Sequence, residues 1–460
     1  MTHNKTVAAV STPHGKGGIA VIRISGDDAF RVADKCFRLS GGKSLSSLSG
    51  GSAVYGRIYD GDELLDDGIA TVFRAPRSFT GEDVVEIACH GGILNTRNVL
   101  GAVLSAGAYP AGPGEFTRRA FISGKLSLTA AEAVADIIDA DTEGKLKLSR
   151  SAASGKLSEK INELYSEILT LISSVYAIID YPEEDLAELS VDEIRLGLAS
   201  FGEKIDALIS TYRTGRAVAD GIETTVLGRP NVGKSAVYNR ILGEDRAIVT
   251  DIEGTTRDLL YDRAVLGDVT LNLCDTAGLR ESSDTVEKIG IERAADRARR
   301  SELVFLVFDG SSPLADEDRE VLDTLSFLDS DRVIVLINKK DLGIVLDAGL
   351  IKEKYDNIIE VSAVTGEGFD LLSDTVSKMY IGGDISLGDT AIVYNARQYA
   401  SLKTAGECVS RAANALENGF PPDVVSVDLE SAMAALGECD GRAVGEDIVR
   451  DIFSRFCVGK

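Results

Sequence analysis

Gly228-Arg229-Pro230-Asn231-Val232-Gly233-Lys234-Ser235 has the spacing G-x-x-x-x-G-K-[ST], and its flanks decide the fold. Ile222 to Leu227 reads as a strand before it, and Ala236 to Leu242 as the start of a helix after it. Strand, glycine loop and helix in that order form the setting of a phosphate-binding loop. The glycines let backbone N–H groups turn toward phosphate oxygens, and the helix adds its positive N-terminal end. Lys234 supplies a point charge for β- and γ-phosphates, and Ser235 a hydroxyl for Mg²⁺.

Three motifs follow in order: Asp275-Thr276-Ala277-Gly278, Asn338-Lys339-Lys340-Asp341 and Ser362-Ala363-Val364. Asp275 follows the apolar strand Val269 to Cys274 and is placed to reach a magnesium shell through water. Gly278 can offer its N–H to a γ-phosphate. Asn338 and Asp341 end the strand that begins at Val333. A carboxylate at Asp341 can accept two hydrogen bonds from the N1–H and N2–H₂ edge of guanine. Adenine has no matching pair of donors and would leave the carboxylate unpaired, which favours GTP over ATP. Ser362 and Ala363 would support the base from the next strand end.

The chain has 460 residues, enough for about three domains. A hydrophobic content of 44% with 27% charge is that of a soluble globular protein. Lys and Arg total 49 against 73 Asp and Glu, a net charge of -24, so the surface is not a general nucleic-acid clamp. An RNA partner would need a local basic patch or a second protein to present it. Cys36, Cys89, Cys274, Cys408, Cys439 and Cys457 include no C-x-x-C pair, so neither a disulfide framework nor a zinc site follows. Cys274 is expected to pack in a core strand. Met1 to Lys5 lacks a signal-peptide apolar region, and no apolar run reaches the roughly 18 residues of a membrane span. A cytoplasmic location is expected.

The expected architecture is multidomain, α/β plus α. Residues 1–120 form a mixed α/β domain of short strands and glycine turns. Ile19 to Ile24 is a strand interrupted by Arg23, preceded by Gly15, Gly17 and Gly18, whose pattern suits a tight turn better than a phosphate site. Asp83 to His90 alternates, placing Val85, Ile87 and Cys89 on one face and Glu86, Ala88 and His90 on the other. By pattern alone that second face is as readily a solvated surface as a site.

Helices follow. Thr129-Ala130-Ala131-Glu132 matches a capping box. Ile161, Leu164, Ile168, Leu171, Ile172, Val175 and Ile178 stripe a helix over about 158–179, and another is expected over about 191–214. Residues 219–382 alternate strand and helix, the pattern of a doubly wound, mostly parallel sheet. Beyond them Leu402, Ala405, Val409, Ala412 and Leu416 form one helical stripe, and Ile448, Val449, Ile452, Phe453 and Phe456 another. One helical domain in two halves, 121–218 and 383–460, with the GTPase domain inserted between them, is the simplest arrangement.

Several stretches are recognisable together: Gly17 to Gly26 (GGIAVIRISG), Ser78-Phe79-Thr80-Gly81-Glu82-Asp83, Pro113 to Phe121 (PGEFTRRAF), Gly124-Lys125-Leu126, Thr250 to Asp258 (TDIEGTTRD) and Phe456-Cys457-Val458-Gly459-Lys460. They resemble the MnmE family of tRNA-modification GTPases, also called TrmE, over essentially the whole chain. The resemblance implies an N-terminal domain that dimerises and binds 5-formyl-tetrahydrofolate or a related one-carbon folate, a helical domain, and a Ras-like GTPase domain inserted in it. It implies a flavin-containing partner, MnmG, with which a homodimer of the chain makes a heterotetramer. Together they add an aminomethyl or carboxymethylaminomethyl group to C5 of the tRNA wobble uridine, U34. By match to the family motifs, Arg23, Glu86, Lys125 and Lys460 would contact the folate. A cation suits its anionic glutamate tail, and a carboxylate suits the donors of the pterin.

The resemblance also implies a nucleotide site of Asn231, Val232, Gly233, Lys234, Ser235 and Ala236; of Thr250, Asp251, Ile252, Glu253, Gly254, Thr255 and Thr256; and of Asp275, Thr276, Ala277, Gly278, Asn338, Lys339, Asp341, Ser362, Ala363 and Val364. Ras-like proteins place a glutamine directly after D-T-A-G to orient the attacking water. Here that position is Leu279, which cannot. The family uses K⁺ instead, held by Asn231 and by Thr250, Ile252 and Thr255; carbonyl oxygens that replace a hydration shell suit that ion. Thr256 would complete the Mg²⁺ shell with Ser235. Glu287 matches the family's water-orienting acid, although the residues alone read better as an ordinary exposed first-turn glutamate. Glu253 departs from the small residue or Pro usual at its position.

Two rival functions share some of these features. Ribosome-assembly switch GTPases that bind RNA without modifying it share the four nucleotide motifs, but not the N-terminal folate-type domain or the final C-V-G-K. A stand-alone folate-dependent aminomethyltransferase with a regulatory GTPase insert is the other. Cys457 can be reactive beside a lysine or can simply pack. A frayed end is the ordinary fate of a tail; the apolar helix before this one, and Gly459, lead us to expect it to fold back on the one-carbon site.

Overall fold

The computed structural model describes residues 5–39, 41–180, 190–244, 261–274, 295–382 and 386–460. The chain forms two compact units, one of Met1–Ala135 with Ala434–Lys460 and one of Asp136–Met433.

In the first unit, β1 (Val7–Val10), β2 (Ile19–Ser25), β3 (Phe37–Leu39), β4 (Ala53–Asp60), β5 (Glu63–Phe73), β6 (Val84–His90) and β7 (Tyr109–Pro110) make a seven-stranded sheet in the order β3-β4-β5-β6-β2-β1-β7. Its pairings are antiparallel except β1 with β7. Helices α1 (Ala29–Cys36) and α2 (Ile93–Ser105) cover one face. Ile22, Ile24, Ala70, Val72, Val85, Ile87 and Cys89 point into that core, with Phe30, Val32, Val99 and Val103 from the helices. The alternation of β6 is as its sequence predicts. The opposite face carries Arg23 directly across from Glu86, with Thr71 next in line.

Helices α3 (Glu115–Ile122) and α4 (Leu128–Ile138) follow. The capping-box expectation is wrong by two residues. Thr129 is fully buried inside α4, and Ser127 Oγ caps instead, accepting from the Ala130 N–H at 3.1 Å. At the far end of the chain, helix Glu446–Ser454 buries Val449 and Phe453, and Phe456 after it, against Leu128 and Ala131. Ile448 does not belong to that stripe and is 52% exposed.

The second unit begins with α5 (Glu143–Ala153), α6 (Lys156–Asp180), α7 (Val191–Ser210) and α8 (Tyr212–Ala219). The stripe expected on α6 is buried from Ile161 to Val175. The helix expected to run to Thr214 is two helices. The Thr211 hydroxyl donates to the Leu208 carbonyl at 2.7 Å and accepts from the Val393 N–H at 3.0 Å, so the chain turns there. Helix Ala396–Glu417 packs along α7 with Leu402, Ala405, Val409 and Ala412 buried.

The same unit holds a six-stranded sheet of β8 (Ile222–Leu227), β9 (Tyr261–Leu266), β10 (Val269–Cys274), β11 (Leu303–Asp309), β12 (Val333–Asn338) and β13 (Ile358–Glu360), ordered β13-β12-β11-β8-β10-β9. Only β9 with β10 is antiparallel. Every residue of β11 and β12 is buried. Phe305 and Val307 face one apolar core, while Val304, Leu306 and Phe308 face the other. A continuous apolar run is what a strand covered on both faces requires. Cys274, expected in the core, is half-buried at the end of β10.

Candidate functional site

Strand β8 lies between β10 and β11, so the chain leaves it to opposite sides of the sheet, and a ligand crevice is expected beyond such a switch point. The loop after β8 occupies it and leads into α9 (Lys234–Glu244). Two glycines are required there. A Cβ on Gly228, at φ 146°, would collide with the Val307 carbonyl, and one on Gly233, at φ 95°, with the Asn338 side chain. Asn231 also takes a left-handed conformation, φ 65°, and its side chain is exposed. Val232 is fully buried and anchors the loop from below. The Lys234 ammonium donates to the Arg229 carbonyl at 2.8 Å. Burial, and then the neighbouring Arg229 cation, hold that ammonium below the usual lysine range. Ser235 and Ala236, in the first turn of α9, are exposed.

Asn338, at the end of β12, ties the loop to the base-recognition motifs. Its amide donates to the Val232 carbonyl at 3.0 Å, and its carbonyl oxygen accepts from the Ala363 N–H at 3.1 Å. Ser362 Oγ donates to Asp341 Oδ1 at 2.6 Å and accepts from the Thr365 N–H at 3.1 Å. One carboxylate oxygen is thereby fixed, and the exposed Asp341 keeps acceptor capacity for a ligand. Val364 is 78% exposed at the rim. Lys339, left-handed at φ 67°, reaches Asp309 Oδ2 at 2.6 Å. Burial pushes the Asp309 carboxyl up, but hydrogen bonds from Lys339 and Ser311 outweigh it and hold it below the ordinary range. The structure thus brings three separate motif segments, 228–235, 338–341 and 362–364, to one end of one sheet. Thr250, Asp251, Ile252, Glu253, Gly254, Thr255, Thr256, Asp275, Thr276, Ala277, Gly278, Leu279 and Glu287 lie outside the described residues.

The second group of expected site residues sits in the other unit. Arg23 Nε pairs with Glu86 Oε1 at 2.8 Å, both side chains partly exposed. The guanidinium lies 5.5 Å from the Phe79 ring centroid and 5.4 Å from that of Phe116. Phe116 also joins Arg23 to the tail, because its N–H donates to the Lys460 carbonyl oxygen at 2.9 Å. The tail is ordered along its length. Val458 bridges Pro113, Ser11 Oγ donates to the Gly459 carbonyl at 2.9 Å, and a Cβ on Gly459, at φ 97°, would collide with the Val10 carbonyl. Cys457 is exposed. The Lys125 ammonium donates to the Pro76 carbonyl at 2.9 Å, while its stem lies near Gly81.

Sequence reasoning missed the support beneath this face. Arg119, 1% exposed, donates to Glu82 at 2.8 Å, to Glu115 at 3.0 Å and to the Lys5 carbonyl at 2.9 Å. Ser25 Oγ donates to Glu82 at 2.7 Å. One buried guanidinium therefore joins the two recognisable stretches 78–83 and 113–121. Arg119, three residues after Phe116 and beside Ala120 on the inward side of α3, was the available signal.

Comparison with known proteins agrees over the whole length. Residues 128–457 match the MnmE helical domain and residues 6–125 match the GTP-binding protein TrmE N-terminus. The tRNA modification GTPase MnmE of Lachnoclostridium phytofermentans is 41% identical over 99% of both chains. That of Desulforamulus reducens is 40% identical, also over 99% of both. This chain belongs to the MnmE family of tRNA modification GTPases. It is a GTP hydrolase acting in tRNA modification. The helical-domain match encloses all four nucleotide motifs. Among solved structures, the G domain of the T. maritima FeoB iron transporter is similar over 34% of this chain and 98% of its own, at 25% identity and a TM-score of 0.26. Among the described residues, no helix is long and apolar enough to cross a membrane.

Proposed function

We propose that this chain is a K⁺-stimulated GTPase that, with a flavin-containing partner of the MnmG kind, modifies C5 of the tRNA wobble uridine with an aminomethyl or carboxymethylaminomethyl group. The observation that carries the reading is the pairing of two sites in one chain of this family: the motif-bearing end of the parallel sheet, and the Arg23–Glu86 face on which the tail docks. In the first, Asp341 reads the guanine edge and Lys234 neutralises the phosphates. The exposed Ser235 hydroxyl at the head of α9 suits Mg²⁺, with Thr256 as its second protein ligand. The exposed, left-handed Asn231 suits K⁺, with Thr250, Ile252 and Thr255 completing the shell. Glu287 orients the attacking water where Leu279 cannot.

In the second site, Arg23, Glu86, Lys125 and Lys460 hold 5-formyl-tetrahydrofolate or a relative. The partly exposed Arg23–Glu86 pair offers both a cation and a carboxylate, the two charges that a folate's glutamate and pterin ends call for. The chain acts as a homodimer through the first unit, in the cytoplasm, and its helical domain is assembled from 121–218 and 383–460 around the GTPase domain at 219–382.

The test is nucleoside analysis of tRNA from cells lacking the gene, together with GTP turnover in K⁺ and Na⁺ at equal ionic strength. Loss of C5-modified wobble uridine and faster hydrolysis in K⁺ are expected. Normal tRNA with a ribosomal-subunit defect would replace this reading with that of an assembly GTPase, and equal rates in the two salts would remove K⁺ from the mechanism.

A further inference from the structure

Arg229 is held at both ends. Its carbonyl accepts from the Lys234 ammonium at 2.8 Å. Its side chain leaves the loop in another direction, where Nε lies 3.0 Å from each oxygen of Asp318 and a terminal nitrogen donates to Ser312 Oγ at 3.4 Å. Asp318 is 2% exposed. It belongs to helix Asp316–Thr324, and its Oδ2 also accepts from the Ala315 N–H at 3.1 Å, at the start of that helix. A buried carboxylate held by both a guanidinium and a backbone donor is a fixed point, because moving either partner would leave a charge without compensation. No sequence motif singles out Asp318.

We infer that Asp318 is a positioning residue for nucleotide binding, fixing Arg229 so that the Arg229 carbonyl holds the Lys234 ammonium at the mouth of the phosphate loop. Proline at 230 makes the tether more consequential. It has no N–H and a fixed φ, so residue 229 cannot relax freely toward helical conformations when its side chain is released. Without Asp318 the Arg229 peptide loses its outer anchor, and the ammonium loses a defined starting position. The side chain of Arg229 then also becomes an uncompensated cation beside Lys234, which already feels its charge.

The inference rests on GTP binding by this loop, and its test separates the two. Lys234 serves β- and γ-phosphates, so an effect routed through it appears with GDP and GTP but not with GMP. In the full chain, Asp318→Asn should weaken GDP and GTP about tenfold, the weight of one charge-assisted hydrogen bond, with GMP affinity unchanged. Arg229→Ala should do the same, and the double variant should be no weaker than the weaker single variant, since the two act as one unit. Arg229→Lys keeps the cation but not the two-oxygen contact, and should fall between the parent and Arg229→Ala. Unchanged GDP affinity in a folded Asp318→Asn protein would overturn the inference. So would equal weakening of GMP and GDP, which marks a structural residue only. A parent chain that bound no GDP would overturn the GTP reading instead.

Discussion

The two sheets present their polar residues in opposite ways. The six-stranded sheet buries both faces, so its chemistry is confined to the strand ends: Asn338 closes β12, Ser362 follows β13 and the phosphate loop follows β8. Each cluster is a run of neighbours in the chain. The seven-stranded sheet packs two helices on one face and is only partly covered on the other, by α3 and the tail; its candidate site lies on that second face, where Arg23 on β2 meets Glu86 on β6 across 63 positions of sequence. A parallel sheet wrapped on both sides leaves only loops for function, whereas an antiparallel sheet with one partly covered face can use the side chains of the strands themselves.

The comparison breaks first at Asp341. If specificity sits in a strand-end loop, Asp341→Asn should swing preference from GTP toward xanthosine triphosphate by about 10⁴-fold, because a polar group that the bound base would cover is mismatched in each wrong pairing. Competition binding with the two nucleotides checks this, and unchanged discrimination would place base recognition elsewhere.

On the other sheet the support is a buried charge. Arg119→Met should cost ~3–5 kcal/mol in the first unit by leaving Glu82 without a cation, while Glu115 keeps Arg118. Thermal or urea unfolding of the full chain should show it as an early transition that leaves GTP binding intact. A single unshifted transition would mean that the guanidinium is replaceable.

The tail sharpens the contrast at smaller scale. Gly459→Val forces a branched side chain into a left-handed backbone against the Val10 carbonyl, and should undock residues 457–460. Formyl-tetrahydrofolate affinity should then fall about tenfold, as when one charged contact is lost, while basal GTP hydrolysis is unchanged. Equal folate affinity in the parent and the variant would separate the tail from that site.

The smallest effect concerns the edge of the open face. His90 Nδ1 lies 2.7 Å from Asp66 Oδ1, which raises the imidazole above its ordinary 6.5. Burial pushes the Asp66 carboxyl up, but hydrogen bonds from His90, Asn95 and the Asp67 N–H bring it below 3.8. A raised histidine contributes stability below pH 6.5 that fades as pH rises through its folded value. The lowered carboxyl contributes above pH 3.8 and fades as pH falls. The pair therefore supports the fold mainly between those values. An NMR titration of His90 should report the raised value, and Asp66→Asn should return it toward 6.5. An unshifted histidine in the parent would show the contact to be incidental.

What the sequence by itself determined is whatever is written in consecutive residues. G-R-P-N-V-G-K-S, N-K-K-D and S-A-V gave the nucleotide motifs, and the apolar runs of β11 and β12 gave a doubly covered sheet, because strand-end chemistry and strand burial are both local in the chain. The alternation of β6 gave Glu86 its face but no partner for it. Only the tertiary structure decided that Glu86 faces Arg23, that Phe116 links that pair to Lys460, that Arg119 lies beneath them, and that Asp318 grips Arg229. It also moved the cap of α4 from Thr129 to Ser127 and split the expected long helix at Thr211, where hydroxyl hydrogen bonds outweighed helical periodicity. Contacts between distant positions depend on strand order and register, and on which groups must find a partner once they are buried. Those are properties of the assembled sheet, and no window of sequence contains them.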